Sequence, residues 1–196
     1  MEALENNKKY LAILHSSRKL FWKHGFRRVS IEEICREAKA SKMTFYRFFP
    51  NKLELARAVF DSVADEGLQK FRKIINEESS PSEKMKKIIQ LKLEGTNNIS
   101  NEFLNDFYNN PESGLANYIE EKTKALWLEI IELFRKGQAD GWIRKDMNVE
   151  FMFLFIQKAT SSSVLSDKEI LKLYNSPQDL IMELTNMFVY GISPAK

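Results

Sequence analysis

Apolar residues recur every three or four positions along most of the chain, the spacing that gives a helix one buried side. No stretch of useful length alternates apolar and polar residues as a half-buried strand would. The first helix is predicted from about Asn7 to His24, and Gly25 ends it because glycine accepts a left-handed backbone. The pattern as a whole predicts an all-α protein with about nine helices.

Two short helices follow, each with its own N-terminal cap. Ser30 begins the second helix and is spaced for a capping box with Glu33, worth on the order of 1 kcal/mol. Ser41 begins the third helix, and Pro50 ends it. Only a short turn separates these two helices.

The fourth helix is long, beginning after an Asn51 cap, with Glu54 placed for another capping box, and ending near Asn76. The helix that contains Phe151 is apolar on nearly every side, which predicts burial on several faces. Beyond the fourth helix, the predicted helices cover about 81–97, 102–108, 112–139, 148–164 and 177–190.

Charge is unevenly distributed along the 196 residues. Residues 1–56 contain 12 basic and 6 acidic side chains, a balance of +6, so the remainder carries −3 of the total +3. A basic head on a mildly acidic body is expected where one end of a protein meets phosphates. A solvated surface with uneven charge would give the same count.

The single cysteine, Cys35, excludes an intrachain disulfide and suits a reducing compartment. Its position on the inner side of the second helix favours inert packing over redox sensing. There is no signal-peptide pattern, and the longest strongly apolar run, residues 151–156, is far shorter than the ~20 residues of a membrane span. We therefore expect a soluble, cytoplasmic protein that does not associate with membranes.

The two short helices predict a helix-turn-helix, whose second helix enters the DNA major groove. Four side chains of that helix can bind a nucleic acid, namely Lys42, Thr44, Tyr46 and Arg47. A helical hairpin without function would carry the same caps. The predicted domains are a DNA-binding domain at 1–52 and a larger helical domain at 53–196.

The segment around these helices resembles the N-terminal signature of the tetracycline-repressor (TetR/AcrR) family over about residues 10–60. The resemblance implies a one-component transcriptional regulator that binds double-stranded operator DNA as an all-helical homodimer. It also implies a C-terminal domain that dimerises and binds a small effector, which in most members releases a repressor from DNA. The matching residues are Leu20, Phe21, Gly25, Phe26, Val29, Ser30, Ile34, Cys35, Ala38, Ser41, Thr44, Phe45, Tyr46, Phe48, Asn51, Lys52 and Leu55.

The resemblance also implies DNA contacts at matching positions. Ser30, at the start of the helix before the turn, would hold a phosphate. Tyr46 and Lys52 would each contact another phosphate. Lys42, Met43 and Thr44 would open the recognition helix and face base edges, and Ser41, which caps that helix, is also expected to contact DNA.

Arg47 occupies a position that varies in the family, where it could read guanine or hold a phosphate. Arg27 and Arg28 precede Ser30 and are either backbone contacts or solvated charges. Two residues depart from the family pattern. Lys39 lies in the turn, where many members have glycine, and tolerates a left-handed backbone at a cost of roughly 1 kcal/mol. Met43 replaces a small residue and offers an apolar contact to a thymine methyl group.

Dimerisation is expected on the last two predicted helices, where the family also dimerises and where the apolar residues suit an intersubunit four-helix bundle. The alternative is that both helices pack inside one subunit. The predicted interface residues are Phe151, Phe155, Leu180, Leu184, Met187 and Phe188.

Aromatic residues are dense between Met85 and Phe155, and some are expected to line a cavity for a hydrophobic or aromatic effector. For any single one of them, packing in the core is the alternative. Four belong to helices that flank the cavity of the family, namely Phe103, Phe107, Tyr118 and Trp127.

No catalytic or metal-binding pattern is recognisable. His15 and His24 lack a partner at metal-ligand spacing, and there is no phosphate-binding glycine loop or nucleophile elbow. We therefore expect neither enzyme activity nor a cofactor or metal. The sequence does not separate a repressor from an activator or a regulator without an effector. A helical protein-interaction module without DNA binding is a further alternative, which the basic head argues against.

Overall fold

A computed structural model describes residues 7–108, 114–160, 162–165 and 167–194, and for residues 107, 108, 116, 162 and 163 it describes the backbone alone. Every regular element within these ranges is a helix, which confirms the all-α prediction. The helices are α1 (Lys8–His24), α2 (Ile31–Glu37), α3 (Lys42–Phe48), α4 (Lys52–Asn76), α5 (Pro81–Gly95), α6 (Asn101–Tyr108), α7 (Leu115–Ala139), α8 (Val149–Ala159), α9 (Ser162–Leu165), α10 (Lys168–Leu171) and α11 (Pro177–Ile192).

Local capping explains where most of these helices begin and end. The Asn7 side chain accepts hydrogen bonds from two amides in the first turn of α1, and Gly25, with φ of 79°, terminates that helix. A capping box between Ser80 and Glu83 opens α5, whose first residue is Pro81. The predicted bounds of the first four helices are therefore confirmed to within one or two residues.

Two details of the predicted helices are wrong. The helix expected at 148–164 stops at Ala159, and Thr160 forms its C-terminal cap with its hydroxyl donating to the Ile156 carbonyl (2.8 Å). The capping box expected at the start of α4 is half formed. The Asn51 side chain accepts from the Glu54 amide (2.9 Å), whereas the Glu54 carboxylate accepts from Arg57 instead. The short α10 was not predicted.

The described residues of Met1–Ala64 and Asn98–Ile119 form one compact unit, which we call unit 1. It extends beyond the predicted 1–52 domain, since α6 and the start of α7 pack with the N-terminal helices. The largest side chains buried at its centre are Ile13, Phe21, Ile34, Phe45, Leu55, Leu104 and Leu115. Burial also raises the pKa of the Cys35 thiol in this core, in keeping with a packing role.

The second compact unit, unit 2, consists of the described residues of Asp65–Asn97 and Glu120–Lys196. Within it α5 packs against α11, and the Gln178 side chain donates to the Leu93 carbonyl (2.8 Å). Its buried core includes Ile75, Met85, Phe134, Trp142, Val189 and Ile192. Among the described helices of either unit, none is long and apolar enough to cross a membrane.

Candidate nucleic-acid interface

The first helix of the helix-turn-helix, α2, begins at a complete capping box. Ser30 Oγ accepts from the Glu33 amide (3.2 Å), and the Ser30 amide donates to Glu33 Oε2 (2.8 Å). The bond from the Ser30 amide lowers the pKa of Glu33, so this carboxylate stays ionised at the helix start. The Ser30 groups predicted to hold a phosphate are therefore already bound to Glu33.

The turn between α2 and α3 contains one left-handed residue. Lys39 has φ of 49°, as predicted for the position where glycine is common in the family. Its carbonyl accepts a hydrogen bond from Lys9 Nζ (2.7 Å) on α1, and the following amide of Ala40 donates to the Cys35 carbonyl (2.9 Å). These two bonds hold the turn at the angle that separates the two helices.

Helix α3 is anchored on one side and exposed on the other. Phe45 is fully buried and lies against Phe49, with ring centroids 5.8 Å apart. Ser41 caps the helix by accepting from the Thr44 amide (3.0 Å). The exposed side presents Lys42, Met43, Tyr46 and Arg47, with Met43 83% exposed and Tyr46 53% exposed.

The residues predicted to face base edges differ in their contacts with the rest of the protein. Met43 points away from the protein, whereas the Thr44 hydroxyl lies 2.9 Å from Ser41 Oγ and is half-buried. Lys42 forms an ion pair with Glu32 of α2. This bond raises the pKa of Lys42 and lowers the pKa of Glu32, so the pair stays charged. Sequence reasoning did not identify Glu32 as part of this surface.

Lys52, at the start of α4, has a structural role that the sequence did not indicate. Its Nζ donates to the carbonyls of Phe26 (2.9 Å), Arg27 (3.2 Å) and Val29 (2.9 Å). It also lies 4.6 Å from the centre of the Phe26 ring. Partial burial lowers the pKa of this ammonium, and the negative charge of Asp106 offsets part of that effect. The ammonium thus fixes the loop before Ser30, and its predicted phosphate contact remains a prediction.

Asp106 of α6 holds the same loop through a different contact. Its Oδ2 accepts from the Arg27 amide (2.7 Å), and a Cβ on Gly25 would approach that oxygen to 2.6 Å. The Ser100 amide donates to the Trp22 carbonyl (2.9 Å), which ties the segment before α6 to the end of α1. No sequence motif could indicate these bonds, since the Asp106 bond joins residues 79 positions apart.

The arginines near the surface also have neighbours. The Arg47 guanidinium lies 4.8 Å from the centre of the Phe48 ring. In this geometry the outer edge of the guanidinium can still donate hydrogen bonds to DNA. Arg28 lies within 2.8 Å of His24 Nδ1, and the side chains of Arg27 and Arg28 are exposed. All three guanidinium groups are thus at the surface of unit 1.

Three of the four residues predicted to line an effector cavity have described side chains, and each of them packs within its own unit. Phe103 is buried in the core of unit 1, with its ring centroid 4.4 Å from that of Trp22. Tyr118 donates to Asp61 (2.6 Å) in unit 1, and Trp127 packs on Phe153 (5.1 Å) in unit 2. The side chain of Phe107 lies outside the described part of the structure.

The predicted dimer residues fall into two groups. Phe151, Phe155 and Met187 are 68%, 59% and 65% exposed, while Leu184 and Phe188 are half-buried. Leu180 is 2% exposed and belongs to the interior of unit 2, so it has no surface left to bury against a partner. The helix with Phe151 was expected to be buried on several faces, yet Leu154 of that helix is also exposed.

Residues 13–59 match the family model of bacterial regulatory proteins, tetR family. The HTH-type transcriptional repressor KstR2 of Mycobacterium tuberculosis is 21% identical over 157 residues, which make up 78% of this chain and 78% of that protein.

Two solved structures are similar over nearly their whole length. The fatty acid degradation regulator FadR from Bacillus halodurans is 18% identical, with a TM-score of 0.68 that covers 95% of this chain and 97% of that one. FadR from Bacillus subtilis in complex with stearoyl-CoA is 17% identical, with a TM-score of 0.66 over 93% and 99%. At these identities the likeness establishes the fold.

Proposed function

The chain belongs to the tetR family of bacterial regulatory proteins, and from this premise we propose that it is a repressor that binds a palindromic operator as a homodimer. A small, mainly hydrophobic effector would release it. The observation that carries the proposal is the exposed side of α3, where Lys42, Met43, Tyr46 and Arg47 stand beside a buried Phe45 anchor.

Each group on this surface has a role suited to its chemistry. Met43 offers an apolar contact to a thymine methyl group, and Lys42 a hydrogen bond to a base edge. Tyr46 and Arg47 hold the backbone or, for Arg47, a guanine edge. The loop before Ser30, fixed by Lys52 and Asp106, brings the Arg28 side chain to the phosphates.

Release is a population shift between subunit arrangements. The effector prefers an arrangement in which the two recognition helices no longer match successive major grooves, about 34 Å apart. Helix α4 contributes residues to both units and begins at Lys52, which binds the loop before Ser30. A displacement of α4 would therefore act directly on the loop before Ser30 through Lys52.

Similar regulators support a hydrophobic effector. One is described as a fatty acid degradation regulator, another was solved with stearoyl-CoA, and a third is described as a ketosteroid transcriptional regulator. The aromatic content of 12% in this chain suits ligands of the same apolar character.

The test is selection of binding sites from a random DNA pool by the purified protein. A palindromic motif with half-sites about one turn apart supports the proposal, and no enrichment at low salt contradicts it. In the selected operator, Lys42→Ala and Thr44→Ala should change sequence preference, whereas Tyr46→Phe should weaken binding to all sequences. Lys86→Ala, an exposed lysine of α5, is the control and should change neither.

A further inference from the structure

Met43 is the most exposed of the methionines that the structure describes. Its side chain is 83% exposed. Met187 is 65% exposed, but it belongs to the predicted dimer interface, where a partner subunit would cover it. The other described methionines are buried or half-buried, namely Met85, Met147, Met152 and Met182. Met43 therefore carries the thioether that is most open to reagents in solution.

The place of Met43 on α3 puts this thioether on the DNA-facing side of the helix. Met43 is the second residue of α3, and Arg47 follows it by four positions, which is one helical turn on the same side. Phe45 is fully buried on the opposite side. In the proposed complex the Met43 side chain makes an apolar contact with a thymine methyl group. A chemical change at its sulfur would therefore act on the reading of a base pair.

We propose that Met43 is an oxidation site through which a peroxide changes the base that this regulator reads. The Met43 sulfur attacks one oxygen of hydrogen peroxide, the O–O bond breaks, and water leaves. The sulfur is thereby oxidised by two electrons to the sulfoxide, and the peroxide is reduced. This assignment rests on the proposed function, since it requires α3 to lie in the major groove.

The sulfoxide changes the chemistry of the contact. Its oxygen is a hydrogen-bond acceptor on a side chain that was apolar before. Thymine presents a methyl group and the O4 acceptor in the major groove, so the oxidised side chain loses its apolar contact and gains no hydrogen bond there. Adenine N6 and cytosine N4 are donors in the same groove and become the better partners. Arg47, one turn away, is a competing donor to the sulfoxide oxygen.

The only thiol of the chain is a poor competitor for the same oxidant. Cys35 is 6% exposed in the core of unit 1. Burial raises the pKa of this thiol, which keeps it from forming the reactive thiolate. A substitution at Met43 separates the two sulfurs, because it leaves Cys35 unchanged.

The experiment treats the full-length protein with hydrogen peroxide and maps the added oxygen by peptide mass spectrometry. Binding sites are selected with the native and the oxidised protein. Operator affinity is measured by fluorescence anisotropy before oxidation, after it, and after repair by methionine sulfoxide reductases. Met43→Leu keeps an apolar side chain without sulfur, and Met43→Gln supplies a permanent acceptor oxygen. Met187→Leu is the matched control at the other exposed methionine, and thermal melting verifies that each variant is folded.

We expect Met43 to be oxidised before the other methionines, and operator affinity to fall about three- to tenfold and to recover on repair. The oxidised protein and Met43→Gln should select adenine or cytosine at one half-site position where the native protein selects thymine. Met43→Leu should bind within about threefold of the native protein and should not respond to peroxide. Met187→Leu should respond as the native protein does.

Two results would overturn the role of Met43 and leave the proposed regulator in place. One is an equal loss of operator affinity in oxidised Met43→Leu, and the other is a sulfoxide at Met43 that changes neither affinity nor base preference. A protein that selects no operator refutes the proposed function. The reading role of Met43 then falls with it, even if this sulfur is oxidised first.

Discussion

Several polar groups of the recognition surface are bound to neighbouring groups of the protein. Ser30 is paired with Glu33, Lys42 with Glu32, and Lys52 with three backbone carbonyls. A phosphate must therefore compete with a carboxylate at two of these positions. Contacts of exposed carboxylates are weak, so a phosphate can displace them, but both carboxylates remain beside the DNA as repelling charges.

Glu32→Gln should strengthen binding to DNA of any sequence, because it removes a negative charge and releases Lys42 from its ion pair. We expect several-fold tighter binding to an unrelated duplex, a smaller gain on the operator, and a salt slope steeper by up to about 1. Titrations at a series of salt concentrations measure this. Glu37→Gln, which removes the ion pair with Lys19 at the other end of α2, is the control, and weaker binding by Glu32→Gln would contradict the argument.

Tyr118 makes the stability of the protein sensitive to alkaline pH. Desolvation and the hydrogen bond to Asp61 raise its pKa from 10.0 to about 12. Because the folded state holds this proton more tightly than the unfolded chain, the stabilisation is complete below pH 10 and is lost as pH rises toward about 12. Urea unfolding at increasing pH should therefore show a steeper loss for the native protein than for Tyr118→Phe. Parallel curves would exclude this contribution.

At the scale of elements, capping residues and apolar spacing predicted the N-terminal helices. They did not predict the hydrogen bonds that join residues far apart in the sequence. The capping boxes and the left-handed Lys39 follow from residues within a few positions of each other. Asp106 binds a loop 79 residues away, and Lys52 binds carbonyls more than 20 residues earlier. Periodicity also could not reveal that α8 ends at Ala159, because Val164 and Leu165 resume apolar positions after the polar run 160–163.

Helix α7 depends on the absence of a side chain at Gly137. A Cβ there would lie 2.7 Å from the Trp142 ring and 2.8 Å from Ile143. We expect Gly137→Ala to lower the free energy of unfolding by about 1–3 kcal/mol, despite the better helix propensity of alanine. Gly67→Ala in α4 is the matched control, since its Cβ would meet nothing within 4 Å, and it should stabilise by up to about 1 kcal/mol. Denaturant unfolding measures the free energy of unfolding of both variants, and equal stabilisation by the two substitutions would contradict the packing argument.

Helix α6 positions the DNA-binding loop through one carboxylate. Asp106→Ala removes the acceptor of the exposed Arg27 amide, at a cost of about 0.5–1.5 kcal/mol because water can replace it, and loosens the chain before Ser30. We expect weaker operator binding with unchanged sequence preference. Asp106→Asn keeps an oxygen acceptor and should restore most of the affinity. Equal losses in both variants would show that the negative charge, rather than the hydrogen bond, matters at this position.

At the scale of the whole molecule, the proposed function requires a two-fold partner. Unit 2 exposes Phe151, Leu154 and Phe155 on α8, together with Met187 and Tyr190 on α11. Monomeric proteins seldom leave this many large apolar side chains in water, so the two helices are the natural place for the partner subunit. Since Leu180 is buried within unit 2, the interface we propose excludes it.

Phe155→Glu should therefore convert the dimer to a monomer, because a desolvated carboxylate in an apolar interface has no partner. Light scattering gives the mass, and titrations with a full palindrome and with a single half-site give the affinities. The dimer should bind the palindrome far more tightly than the half-site, since the second recognition helix then binds intramolecularly, and the variant should bind both alike. Leu173→Glu, at another exposed leucine of unit 2, should remain dimeric. A dimeric Phe155→Glu that binds the palindrome normally would move the interface to a different surface and leave the exposed side of α8 unexplained by dimerisation.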